Sequence, residues 1–126
     1  MLKASNPFQK RLEKKARRGF RGYPVGTIAY YGADNKLATK VAVGIVLAAD
    51  GEPAFMERWF SENRDVRRDS EISRRIVELL EQHGALSVIM TSGIIGCPHE
   101  EGIDYPEGAA CPECPFWADK DRWEEV

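Results

Sequence analysis

Long apolar runs are missing from this sequence. The longest, Val41 to Ala49, is interrupted by Gly44 and reaches about half of the roughly 20 residues that a bilayer-spanning helix needs. No segment is therefore expected to cross a membrane. The basic N-terminus, with Lys3, Lys10 and Arg11, leads into neither an apolar stretch nor a small-residue cleavage site. With no secretory signal legible, a cytoplasmic location is expected. Cysteine is scarce, at three in 126 residues. An odd number outside a secretory context argues against a disulfide framework and favours thiolate chemistry, usually metal binding. These 126 residues have no room for a second domain of ordinary size, so a two-domain cofactor enzyme is not expected. Internal repeats and low-complexity stretches are absent as well.

What is present is strongly segregated charge. The formal net charge of −2 averages two opposite ends. Residues 1–22 carry eight basic side chains against Glu13 alone, a net of +7, whereas residues 97–126 carry Lys120 and Arg122 against nine acids, a net of −7. A basic arm of this kind suits contact with a phosphate backbone, because each Lys or Arg that neutralises a phosphate releases a condensed counterion. Lys10, Arg11, Lys14, Lys15, Arg17, Arg18 and Arg21 are the candidate contacts. The partner is expected to be nucleic acid, RNA favoured, or an acidic protein surface. A solvated arm, or one that pairs with the acidic end of its own chain or of a neighbour, gives the same charge map.

Pro7 is placed to open a helix that runs to about Arg18, with Asn6 as its cap, Phe8, Leu12 and Ala16 on one stripe, and Gly19 as its stop. So narrow a stripe predicts that the helix either docks Phe8 and Leu12 or orders only with a partner. The expectation is an arm that projects from the N-terminus through the hinge Gly19–Pro24. Val25 to Tyr31 and Thr39 to Ala48 read as a hairpin across the turn-forming Gly32-Ala33-Asp34-Asn35-Lys36. Val41, Val43, Ile45 and Leu47 share one face of the second strand. The small apolar residues opposite, Ala42, Gly44, Val46 and Ala48, predict a central strand covered on both sides. Residues 54–62 fit either helical or strand spacing, with a strand favoured. Asp69 or Ser70 caps a helix to His83, with Ile72, Ile76, Leu79 and Leu80 buried and Gly84 after its end. Ala85 to Met90 reads as a further strand, followed by a loop Thr91-Ser92-Gly93.

The order β-β-(β)-α-β implies an α/β fold, or α+β, with a small mixed sheet. Over residues 23–93 this order resembles the opening of the ribonuclease H-like fold. Such nucleases carry acidic metal ligands on the first strand and at the end of the fourth. Here Val25–Tyr31 contains no acid and the end of the fourth strand offers only Thr91-Ser92, so a two-metal nuclease is not expected.

The most informative residues come last. Gly96-Cys97-Pro98-His99 is followed after eleven residues by Cys111-Pro112-Glu113-Cys114-Pro115. Three thiolates and one imidazole match the tetrahedral set that zinc prefers, and each close pair can chelate from one tight turn. Pro98, Pro112 and Pro115 stiffen those turns. Cys97, His99, Cys111 and Cys114 are thus the expected ligands, of zinc or alternatively of a [2Fe–2S] cluster. With four protein ligands the site would be closed, stabilising the fold without activating water.

Three active readings share these residues. His99-Glu100-Glu101 with Cys111-x-x-Cys114 resembles the H-x-E…P-C-x-x-C pattern of zinc nucleobase deaminases. It departs from that pattern at Ala110, in the short spacer, and in Cys97, which would occupy the water position. Cys97-Pro98-His99 and Cys111-Pro112-Glu113-Cys114 resemble the two loops of a Rieske centre, with Cys114 in place of the second histidine. Cys111-x-x-Cys114 alone matches a dithiol redox pair, but Pro115 follows where such a motif opens a helix. Around the cluster, Ile103, Tyr105, Phe116, Trp117 and Trp123 are expected to supply apolar cover, and the two tryptophans are alternatively a stacking surface for a base.

Together these observations describe a basic arm and linker (1–22), a core (23–96) and a metal-binding acidic segment (97–126) within one globular domain. The expected function is a non-catalytic, zinc-stabilised binding module. The alternatives are a redox or catalytic metal protein and a small accessory subunit of a larger assembly.

Overall fold

The computed structural model describes residues 6–49, 51–100, 103–108 and 112–117. Helix α1 spans Pro7–Arg17 and begins as its sequence dictates. Pro7 lacks an N–H that the first turn would leave unbonded, and the Asn6 side chain accepts the Gln9 N–H at 3.2 Å. Strands β1 (Val25–Tyr31), β2 (Lys40–Val46) and β3 (Phe55–Phe60) follow. After a 3₁₀ turn (Val66–Arg68) come helix α2 (Ser70–Gln82) and strand β4 (Ser87–Ile94). Asp69 caps α2 through the N–H groups of Glu71 and Ile72, and Gly84, at φ 66°, takes the left-handed conformation past its end.

The strands form one mixed sheet in the order β3-β2-β1-β4. β2 pairs antiparallel with both β1 and β3, and β4 returns through α2 to lie parallel to β1. The element order behind the likeness to the ribonuclease H-like opening is therefore present, with residues 55–60 as a strand. β2 lies inside the sheet, as the apolar character of both its faces predicts. Val41, Val43 and Ile45 join Ile28 and Tyr30 of β1 and the α2 stripe Ile72, Ile76, Leu79 and Leu80 in one core. Helix α2 approaches β1 so closely at Gly26 that a Cβ there would collide with the Leu80 side chain.

Three expectations need correction. The first helix does not project. Leu12 is only 1% exposed and belongs to the main core, with Phe8 and Ala16 packed beside it. Docking is completed by polar contacts that an apolar stripe does not reveal. The Gln9 Nε2 donates to the Tyr30 hydroxyl at 3.0 Å, and the Ser73 hydroxyl donates to Gln9 Oε1 at 3.3 Å. The Asn6 amide donates to Ser73 Oγ and to the Arg67 carbonyl. Second, Thr91-Ser92-Gly93 is part of β4, which runs on to Ile94 through a register shift against β1. Third, β2 ends at Val46, and Leu47, 57% exposed, lies beyond it.

Asp65 ties the segment before α2 to the hairpin. Its carboxylate accepts from the Ala38 N–H at 3.1 Å and from the Arg67 backbone and guanidinium. Burial pushes this carboxyl up, but the Arg67 bonds and the Ala38 N–H outweigh it and hold Asp65 below its ordinary range. The stabilisation that follows is fully present above the unfolded carboxylate pKa, about 3.9, and is lost as pH falls through the lower folded value. Asp65→Asn is therefore expected to lower the melting temperature at pH 7 and to narrow the gap to wild type at pH 2–3. A gap that stays constant across that range would contradict the linkage.

Candidate metal centre and basic helix

Because β4 runs parallel to β1, the chain leaving it arrives beside the C-terminal end of β1. The Ile95 N–H donates to the Tyr30 carbonyl at 2.9 Å and the Gly32 N–H to the Gly96 carbonyl at 2.8 Å, which delivers Cys97 to the edge of the core. Cys97 and Cys114 are 5% and 2% exposed, belong to the main core, and form no disulfide. The donor atoms of Cys97, His99 and Cys114 all lie within 4.8 Å of one another. The His99 Nδ1 is 3.2 Å from Cys97 Sγ and 3.6 Å from Cys114 Sγ. A tetrahedral ion with bonds of about 2.3 Å to sulfur and about 2.0 Å to nitrogen sets a sulfur–nitrogen edge of about 3.5 Å, so this spacing fits a single ion. The group could hold a metal ion. Cys111, the fourth expected ligand, lies outside the described residues.

Two further features suit ligation. The His99 backbone N–H points at Cys97 Sγ, 3.2 Å away, a contact that holds the sulfur facing the ring of His99. The other ring nitrogen of His99 lies 3.4 Å from the Glu113 carboxylate. A carboxylate on the far side of a metal-bound imidazole fixes its tautomer and orientation. In the sequence Glu113 is only a spacer of the Cys-x-x-Cys pair, and nothing in that spacing points to a role for it.

Lys40 is equally hidden in the sequence. It opens β2, a strand that reads as apolar on both faces, yet it is only 4% exposed. Its Nζ donates to the Pro98 carbonyl at 3.0 Å and to Glu100 at 2.8 Å, between the rings of its cross-strand neighbours Tyr31 and Phe60. Arg58 of β3 reaches the same Glu100 oxygen at 2.7 Å. The Lys40 hydrogen bond, opposed by burial and aided by both positive charges, holds the Glu100 carboxyl below its ordinary range. This network clamps the Cys97-Pro98-His99 turn to the sheet, at one side of an open groove of about 360 Å³. Glu101 and Ala110, which bear on the deaminase likeness, lie outside the described residues.

The apolar cover is partial. Tyr105 and Phe116 pack on the core, but Ile103 is 76% exposed and does not join the core cluster of the described residues. The Trp117 side chain and Trp123 lie outside the described part of the chain. His83 caps α2 and stacks near Phe55, with centroids 4.9 Å apart, and takes no part in the cluster.

The basic residues divide sharply by partner. Arg11, Lys40, Arg58, Arg67, Arg74 and Arg75 are in ion pairs, Arg11 with Glu81 of α2 at 3.0 Å. Among the described residues nine cations form none: Lys10, Lys14, Lys15, Arg17, Arg18, Arg21, Lys36, Arg64 and Arg68. Six of these belong to α1, its cap or the following linker. The other three line a groove that Lys10 also borders. Among the described residues no helix is long and apolar enough to cross a membrane. No protein-family model matches the chain, and no curated protein matches it in sequence.

Proposed function

We propose that this protein is a non-catalytic binding module, stabilised by zinc, that engages nucleic acid, with RNA favoured, through the cations of α1. The observation that carries this reading is the concentration of unpaired cations on and beside one docked helix. A cation already facing a carboxylate adds little to the external field; these nine retain theirs. The exposed side of α1 presents Lys10, Glu13, Lys14 and Arg17 with no large apolar residue among them. A protein partner would require an apolar core to its interface, whereas a phosphate backbone requires charge alone. Zinc is supported by the mutual spacing of Cys97, His99 and Cys114, which suits a single ion, and by thiolate and imidazole donors of the kind zinc takes. With Cys111 as fourth ligand the centre is closed, and its work is structural.

The test is Lys14→Ala/Lys15→Ala/Arg17→Ala/Arg18→Ala, in which alanine preserves helix propensity. Fluorescence anisotropy with a labelled single-stranded RNA is expected to show at least about a tenfold loss of affinity at low salt. The slope of log K against log salt should become shallower by about 3, because each phosphate that is no longer neutralised removes roughly 0.7 from it. Wild-type affinity and slope in this variant, with its circular dichroism unchanged, would exclude α1 as the binding surface.

A further inference from the structure

The unpaired cations are not confined to α1. Along the N-terminal half of that helix runs an open groove of about 880 Å³, bounded by α1, by the β1–β2 turn and by the segment that leads into α2. Lys10 borders it from the helix, Lys36 from the turn, and Arg64 and Arg68 from the third segment. These four come from three separate stretches of chain, and all are exposed and without ion pairs. Arg67 also lines the groove but is paired with Asp65 at 2.6 Å. Among the described residues Glu13 is the remaining carboxylate of the groove, and it has no ion-pair partner.

The walls are tied together independently of any ligand. The Asn6 amide bonds the Arg67 carbonyl across the groove at 3.2 Å. The Val66 N–H donates to the Ala38 carbonyl at 2.8 Å, and Asp65 accepts from the Ala38 N–H, which holds the third segment against the hairpin. Asp34 shapes the turn that carries Lys36 by accepting its N–H at 2.9 Å. The cations are therefore displayed from a set framework, which lowers the ordering cost of binding.

We infer that this groove is the path of a single-stranded phosphodiester chain that continues from the cations of α1. The inference rests on the nucleic-acid reading of α1 and adds to it the strandedness of the target and a second group of phosphate-binding residues. Cations on opposing walls of a concavity reach the phosphates of one strand from both sides. A duplex is convex and wide, and it meets only the rim. Among the described residues no aromatic lines the groove, so bases find no stacking platform on them; binding is salt-governed and tolerant of sequence.

The experiment compares wild type with Lys36→Ala/Arg64→Ala/Arg68→Ala on two probes, a labelled twelve-nucleotide oligouridylate and an RNA duplex of equal length. On the oligouridylate the triple variant is expected to lose about tenfold in affinity at low salt, with a salt slope shallower by about 2. On the duplex its loss should be less than about threefold, since a duplex meets these cations only at the rim. Glu13→Gln, which takes away the repelling carboxylate, is expected to tighten oligouridylate binding by about threefold at low salt. If the triple variant binds oligouridylate like wild type, or loses as much on the duplex, the groove is not the path, even though the α1 variant still fails to bind. If wild type binds neither probe, both the groove and the α1 reading fall.

Discussion

Chelation is expected to release about one equivalent of zinc from a colourless protein and to lower its stability by at least about 3 kcal/mol. For a chain of 126 residues that loss corresponds to a fall in melting temperature of roughly 10 °C or more. The expectation follows from where the cysteines sit. Cys97 and Cys114 are buried in the same core as Leu12, Val43 and Leu80, while the segment between them is acidic and, among its described residues, contributes few packed apolar side chains. Such a segment offsets little of its ordering entropy by burial, and an ion bound at the cluster would hold it. Cys97→Ser and Cys114→Ser should each reproduce the destabilisation and lose the metal. Elemental analysis with calorimetry checks both. A fully stable protein after chelation would remove the structural role. Iron with sulfide and visible absorption would instead make the centre a [2Fe–2S] cluster and the chain a redox protein.

Lys40→Met is expected to cost about 2–3 kcal/mol, below the range for breaking a fully buried pair because Glu100 keeps Arg58. Methionine fills the space between Tyr31 and Phe60 but donates nothing, so the Pro98 carbonyl loses its bond from Nζ. The Cys97-Pro98-His99 turn then loses its anchor on the sheet. Metal affinity should fall by about ten- to a hundredfold, the effect seen when groups that orient ligands are removed. Competition with a chromophoric chelator measures this separately from the melting temperature. Lost stability with unchanged affinity would show that Lys40 supports the sheet and not the centre.

Much of the local structure is legible because it is written in short-range chemistry. Asn6-Pro7 and Asp69-Ser70 announce helix starts by capping, and β-branched runs at period two mark β1 and β2. Other features resist such inspection. Thr91-Ser92-Gly93 has the composition of a loop, but pairing with β1 holds it in the sheet, since tertiary hydrogen bonds override weak propensity. Lys40 sits at the start of an apolar strand and looks like a solvated end. Its burial depends on Tyr31, Phe60 and Glu100, which lie on other strands and on the C-terminal segment.

The same division separates the two candidate sites. Cys97-x-His99 and Cys111-x-x-Cys114 are chelating pairs by spacing alone, because a tight turn suffices to bring two neighbouring donors onto one ion. That Cys114 approaches His99, and that Glu113 backs its ring, depends on tertiary structure that brings residues 112–114 against the turn at 97–99. The charge of α1 is plain from composition, but its docking is not, because Leu12 needs a core built from residues far along the chain. The groove is further still from the linear text: Lys10, Lys36, Arg64 and Arg68 become neighbours only when the hairpin and the approach to α2 fold around the helix. Residue order carries covalent neighbours and periodic faces; contacts between distant segments arise from burial and hydrogen bonding that no local pattern encodes.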